Sequence, residues 1–227
     1  MPLILRPSRK LSLACSHVVT VDNFPALLAV RRHGINLAIW ERTVAAALHT
    51  YLDQVPADRL PDVRFDCRSP QVAFAIREEL APWASDHPAW ALLVDDLIDL
   101  VTAYAMHVDD GRLAVRIECV DTDLCTKYHC DATGIRLLST YRGPGTCWVP
   151  NAAVARDQIG PHGDNTTIVS DPALVRQLPR YAVGLLKGEQ YGDHSDPAIV
   201  HRSPPISGTG QVRLLLCVEP WRLGHGD

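Results

Sequence analysis

Residues 112–120 read Arg-Leu-Ala-Val-Arg-Ile-Glu-Cys-Val. Polar and apolar side chains alternate along them, the period of a half-buried strand. From here to the C-terminus the chain repeats one texture. Short apolar runs fall at residues 135–141, 166–169, 181–186, 198–201 and 212–218. Turn-rich pieces separate them: Gly143-Pro144-Gly145, Gly160-Pro161-His162-Gly163-Asp164, Gly192-Asp193 and Ser207-Gly208-Thr209-Gly210. Many short strands with such punctuation predict a sandwich or jelly roll.

Upstream of Gly111 the period changes to that of helices. Val44, Ala47, Leu48, Tyr51, Leu52 and Val55 recur at three- and four-residue spacing and predict a helix over 43–55, ended by Pro56. Ser69-Pro70 caps a second helix running to Leu80. Pro88 opens a third, with Leu93, Leu97, Leu100, Val101 and Tyr104 on one side. The run Ile35 to Trp40 reads as a short strand. The expected fold class is α+β. A mainly helical N-terminal portion, residues 1–111, packs on a C-terminal jelly-roll domain, residues 112–227.

Composition narrows the function classes. With 22 Lys and Arg against 26 Asp and Glu, the net charge is -4, which excludes a strongly basic nucleic-acid footprint. No run of 18 apolar residues occurs, so no membrane span is expected. Seven cysteines, an odd number, do not suggest a disulfide framework. The start, MPLILRPSRKLSLACS, has only four residues between Lys10 and Cys15, too few for the apolar region of an export signal. The expected location is a reducing cytoplasm.

The chemistry is sought among ten histidines. His-x-Asp on a strand puts both side chains on one face, where they can bind one metal ion. The pattern occurs five times: His107/Asp109, His129/Asp131, His162/Asp164, His194/Asp196 and His225/Asp227. His107 ends a helix, His162 and His194 sit in polar loops, and His225 lies in the tail. His129-Cys130-Asp131 stands between two strand-like runs, and His201 ends the apolar run beginning at Ala198. His129, Asp131 and His201 together supply the two-histidine, one-carboxylate set of non-haem Fe(II) oxygenases. Three protein ligands leave three positions on an octahedral ion. A 2-oxo acid takes two, and its far carboxylate then needs a fixed guanidinium. Arg213, opening the last strand, is the candidate, with Tyr141, Thr140 and Arg136 assisting.

The series His129-x-Asp131, His201 and Gly210-x-x-Arg213 resembles the motif order of double-stranded β-helix Fe(II)/2-oxoglutarate dioxygenases, over roughly residues 112–221. A resemblance that spans nearly the whole chain is to the bacterial family called domain of unknown function 1826. It is carried by Asn36-Leu37-Ala38-Ile39-Trp40, Cys125-x-x-x-His129-x-Asp131, Arg136-Leu137-Leu138-x-Thr140-Tyr141-x-Gly143-Pro144-Gly145-Thr146, Leu186-Lys187-Gly188 and His201-Arg202-Ser203-Pro204-Pro205. The dioxygenase resemblance implies Fe(II) and 2-oxoglutarate as cofactors. The second family resemblance implies an association with zinc limitation, and so Zn(II) as the alternative metal in a non-catalytic metal-binding protein.

Around this set, Cys125, Thr140 and Trp148 are expected to support the ligands or shape the cavity. Cys119, Cys125, His129 and Cys130 lack the paired Cys-x-x-Cys spacing of a zinc knot. Cys119, Cys147 and Cys217 read as small buried or half-buried thiols. Gly143-Pro144-Gly145-Thr146 lacks the Gly-Lys-Ser/Thr ending of a phosphate loop, and is expected to aim Thr146 and Trp148 at the cavity rim. The substrate is a small molecule or a protein.

Overall fold

The computed structural model describes residues 15–192 and 196–222. Most of the N-terminal stretch read for an export signal, His194, and the His225/Asp227 pair lie outside these residues. The elements, in chain order, are β1 (Val18–Val21), β2 (Leu37–Trp40), α1 (Ala46–Gln54), β3 (Val63–Arg68), α2 (Val72–Leu80), α3 (Pro88–Ala105), β4 (Arg112–Val120), β5 (Ile135–Arg142), β6 (Cys147–Val149), α4 (Asn165–Ile168), β7 (Arg176–Gln177), β8 (Val183–Lys187), β9 (Val200–Arg202) and β10 (Arg213–Pro220).

The fold is mixed α/β, built on a large sheet of seven strands in the order β1-β2-β8-β5-β10-β4-β3. The β1–β2 pair is parallel and every other pair is antiparallel. A second, three-stranded sheet runs β7-β6-β9. Strands β1, β2 and β3 precede residue 112, so the large sheet draws on both halves of the chain.

The two faces of the large sheet bury different things, as a period of two requires. Leu113, Val115 and Ile117 of β4, Leu137 of β5, and Leu214, Leu216 and Val218 of β10 pack in one core with Leu93, Leu97, Leu100, Val101 and Tyr104 of α3. Leu138, Leu186, Leu215 and Cys217 point the other way, into a second core with Trp148 and Ile199 of the small-sheet side. The order of layers is therefore helices, large sheet, small sheet.

Helix α3 has both its ends written in sequence. Pro88 supplies a helical φ at the first position, and the His87 ring accepts from the Ala89 N–H at 3.1 Å. Its partly buried Asp96 takes Arg42 at 2.5 Å and the Tyr141 hydroxyl, which ties the helix to β5. Two expectations differ from what is seen. Residues 166–169, read as a strand, begin instead with the single-turn helix α4. Asp164 there accepts from the N–H groups of Thr166 and Thr167 in a capping box, a local bond stronger than β-branched propensity. The helix expected from Ser69 begins as a 3-10 turn, Ser69–Gln71, before α2. No helix among the described residues is long and apolar enough to cross a membrane.

Leu97 is fully buried between α3 and the sheet. Leu97→Ala is expected to destabilise the protein by about 2–5 kcal/mol. A urea midpoint unchanged from the parent would contradict this packing.

Candidate metal centre

The centre begins with two backbone bonds. The His129 N–H donates to the His201 carbonyl at 3.0 Å, and the His201 N–H donates back at 3.0 Å. This reciprocal antiparallel pair sets the two side chains on one face. Their ring centroids lie 4.6 Å apart. His201 is also the register partner of Trp148 in β6, so the small sheet fixes its position from the other side.

Asp131 follows two residues after His129 and is 5% exposed. Its backbone carbonyl accepts from the Glu189 N–H at 2.9 Å. Its Oδ1 lies 3.6 Å from His129 Nε2, and its Oδ2 lies 3.3 Å from His201 Nε2. Ligand atoms of His129, Asp131 and His201 all fall within 4.8 Å of one another.

The hydrogen bonds at the back of each ring decide what faces the centre. His129 Nδ1 is 2.9 Å from the Lys127 carbonyl, and His201 Nδ1 is 3.3 Å from the Ile199 carbonyl. A carbonyl only accepts, so each Nδ1 carries a proton. In the neutral rings both Nε2 lone pairs then face a carboxylate. Only protons or a cation can sit between them. The bond to Asp131 raises the pKa of His129 against the opposing effect of burial. Burial alone would raise the Asp131 carboxyl. Attraction to His201, bonds from both histidines and the Arg136 charge overcome it and hold the group well below the usual carboxylate range.

These residues fit a metal ion. Asp131 Oδ2 is buried with no hydrogen-bond partner, although it faces the histidines. Arg136 donates to Oδ1 from one guanidinium nitrogen, and to Glu219 from two others at 2.7 and 3.2 Å. That clamp leaves Oδ2 turned to the centre. A structural zinc site closes with four protein ligands. Only three lie together here among the described residues, which leaves coordination positions open.

A cavity of about 210 Å³ opens beside the centre. His129, His201, Arg136, Leu138, Thr146 and Leu215 are among its walls. Arg213 lies on the same face of β10 as Leu215 and is 1% exposed. One guanidinium nitrogen donates to Thr146 Oγ1 at 3.3 Å, with Thr140 Oγ1 at 3.5 Å. Arg213 Nε is buried with no partner, and no carboxylate among the described residues lies within 4.0 Å. Burial pushes this guanidinium down to about 10. A buried cation with no carboxylate in contact costs several kcal/mol, which the more distant Glu118 charge offsets only in part.

The remaining sequence candidates divide. Thr140 stands beside Arg213, and Trp148 stands beside His201 across the strand pair. Cys125 is exposed and lines the cavity mouth without joining the ligand cluster. Arg136 engages Asp131 and Glu219, so it acts as a clamp on a ligand and not as a seat for a co-substrate. Tyr141 is not in the cavity. It lies in the helix-side core with its hydroxyl on Asp96. It follows Thr140 directly and so points to the opposite face of β5, with Leu137, as simple alternation requires.

The sequence reading missed the partners of Arg136 and the need for Gly188. A Cβ there would lie 2.2 Å from the Thr133 carbonyl oxygen and 2.7 Å from that of Asp131. The only sequence signal was the Leu186-Lys187-Gly188 motif itself.

The model of the DUF1826 family, described as a protein of unknown function, matches residues 22–219. The chain belongs to this family. No curated protein matches it. Solved structures similar to this DUF1826 chain include a dioxygenase for auxin oxidation from rice, at 8% identity and TM-score 0.49, covering 89% of this chain and 81% of that one. The Arabidopsis thaliana dioxygenase for auxin oxidation 1, bound to 2-oxoglutarate, aligns at 11% identity and TM-score 0.46, covering 89% and 91%. A full-length Neurospora crassa protein, in complex with alpha-KG, aligns at 10% identity and TM-score 0.42, covering 95% and 80%.

Two outcomes follow for this DUF1826 site. Gly188→Ala is expected to push the Asp131 loop aside, costing about 1–3 kcal/mol of stability and most of the metal affinity. Isothermal titration with Zn(II) as probe reads this, and parental affinity would contradict it. The second concerns pH. The raised His129 value means its charged form stabilises the metal-free fold below the ordinary histidine value of about 6.5, and that contribution is lost as pH rises through the raised value. Metal needs the deprotonated ring. Apparent affinity should therefore climb with pH across that window and then level off, and a flat profile from pH 5 to 8 would contradict it.

Proposed function

We propose that this protein is an Fe(II)/2-oxoglutarate-dependent oxygenase, with the seven- and three-stranded sheets as the two walls of a double-stranded β-helix. The observation that carries the reading is the buried guanidinium of Arg213, which has no carboxylate within 4.0 Å among the described residues and is bonded to Thr146, a wall residue of the cavity beside the three-residue cluster. A non-catalytic zinc site would need no such unpaired cation. Two histidines and one carboxylate, with open positions, are the donor set suited to Fe(II) oxygen chemistry.

In this account His129 Nε2, Asp131 Oδ2 and His201 Nε2 hold the ion. When bound, the iron and the oxo acid supply the oxidising chemistry; the protein supplies binding and orientation. The backbone carbonyls of Lys127 and Ile199 fix both ring tautomers, so neither imidazole rotates away. Arg136 keeps Oδ1 engaged and holds the carboxylate plane. Thr140 and Thr146 orient the Arg213 fork for two parallel bonds to the distal carboxylate of the co-substrate. Leu138 and Leu215 line the space beside them with apolar surface and exclude water from the reacting end. The indole N–H of Trp148, buried with no partner among the described residues, is a further donor on the strand paired with His201.

The experiment is anaerobic loading with Fe(II), titration with 2-oxoglutarate, and then admission of oxygen. Binding is expected, and succinate should appear after oxygen. Arg213→Gln should weaken 2-oxoglutarate binding by about two orders of magnitude while leaving metal stoichiometry intact, because losing one partner of a buried charge pair costs about 2–5 kcal/mol. Metal-loaded protein that ignores 2-oxoglutarate would overturn the proposal.

A further inference from the structure

The wall of the cavity away from the metal ligands is made by β3 and β4, and it carries more charge than the proposed reaction uses. Arg64 of β3 and Arg116 of β4 are direct register partners. Like charges directly opposite on neighbouring strands repel unless an anion sits between them. Glu118 is the anion present, buried to 2% exposure. Its Oε1 lies 2.6 Å from Arg64 but 3.9 Å from Arg116. The other carboxylate near Arg116 is Glu219, also at 3.9 Å, and Glu219 already holds Arg136 at 2.7 Å. Among the described residues, the short contact of Arg116 is to the Cys217 sulfur, at 2.9 Å.

The charges on this face do not balance. Among the described residues on this side of the sheet, Arg64, Arg116 and Arg136 of the cavity wall and the buried Arg213 stand against Glu118, Glu219 and Asp131. Arg202 also borders the cavity, but its guanidinium turns to the Thr126 carbonyl and the Tyr128 ring. A divalent ion on the triad adds two positive charges, and a bound dicarboxylate removes two. One guanidinium remains in excess, and the geometry identifies it as Arg116, whose side chain is 29% exposed to the cavity.

We infer that the substrate of this cavity is a small molecule with a carboxylate or phosphate that seats on the paired guanidiniums of Arg116 and Arg64. The inference rests on the proposed function, which assigns the metal ligands and Arg213 to the ion and the co-substrate. Strand β4 lies two strand spacings from β5 across β10, about 10 Å. The substrate anion is thus held to one side of the centre, with Leu138 and Leu215 on the floor between. A cationic substrate would meet the same repulsion the arginines already feel. At about 210 Å³ the cavity lies below the range of drug-sized pockets, so the molecule it admits is small.

The test needs neither metal nor turnover. Full-length protein carrying Arg213→Gln, which removes the other anion seat, is titrated with inorganic phosphate and separately with acetate. Backbone amide shifts are followed on β3 and β4. Saturable binding of at least one anion is expected, and the tighter of the two distinguishes phosphate from carboxylate. Adding Arg116→Gln should weaken it at least tenfold. Arg64→Lys, which keeps a cation beside the buried Glu118 but loses the guanidinium fork, should weaken it severalfold. No saturable binding, or binding indifferent to both substitutions, overturns the inference. Failure of the oxygenase reading appears elsewhere, as metal-loaded parent protein that does not bind 2-oxoglutarate.

Discussion

The reciprocal backbone bonds between His129 and His201 are the constraint on which the site depends. They join a segment after β4 to the short strand β9, 72 residues later in the chain. Without them the two imidazoles would sit on independent loops. With them, both rings share a face, and the loop to Asp131 needs to place only one further group. Each ring is then locked by a carbonyl behind it, so the lone pairs and the carboxylate converge whether or not an ion is bound. Convergent acceptors repel one another. The fold tolerates this because Arg136 and Glu219 hold Asp131 from its other side.

The layered architecture explains why the charges lie where they do. One face of the large sheet must be apolar to cover α1, α2 and α3, and it uses every inward position of β4 and β10 for that purpose. The opposite face is free to carry Arg116, Glu118, Arg213 and Glu219, because the small sheet covers it only in part. Glycines allow close approach at two places. Gly188 lets β8 run against the Asp131 loop. Gly143, at φ 74°, passes where a Cβ would come 2.5 Å from the Val212 carbonyl oxygen and 3.1 Å from Arg213 Cγ. The Gly143-Pro144-Gly145 turn so brings Thr146 to the Arg213 guanidinium.

Much of this was legible in the sequence where one period ruled. The long amphipathic helix α3 and the alternating strand β4 appear almost at their expected bounds. The grouping of His129, Asp131 and His201 followed from strand spacing and motif order, and the structure brings these side chains together. The shortest elements were not legible. β1, β6 and β7 have two to four residues each, too few to show a period, and their pairing is decided by distant partners. Alternation along β5 already puts Tyr141 on the face opposite Thr140, so grouping both at the site ran against the period of the strand, and Arg136 could be placed near the site but its partners could not. Glu219 lies 83 residues from Arg136, and no local pattern links them.

The central claim is an open, all-nitrogen-and-oxygen metal centre made by His129, Asp131 and His201. X-ray absorption at the metal edge of natively purified, iron-loaded protein tests it most directly. The expected spectrum shows two imidazoles, carboxylate oxygen and further light ligands that change when 2-oxoglutarate is added. A sulfur ligand, or a closed four-coordinate shell indifferent to the oxo acid, would contradict it.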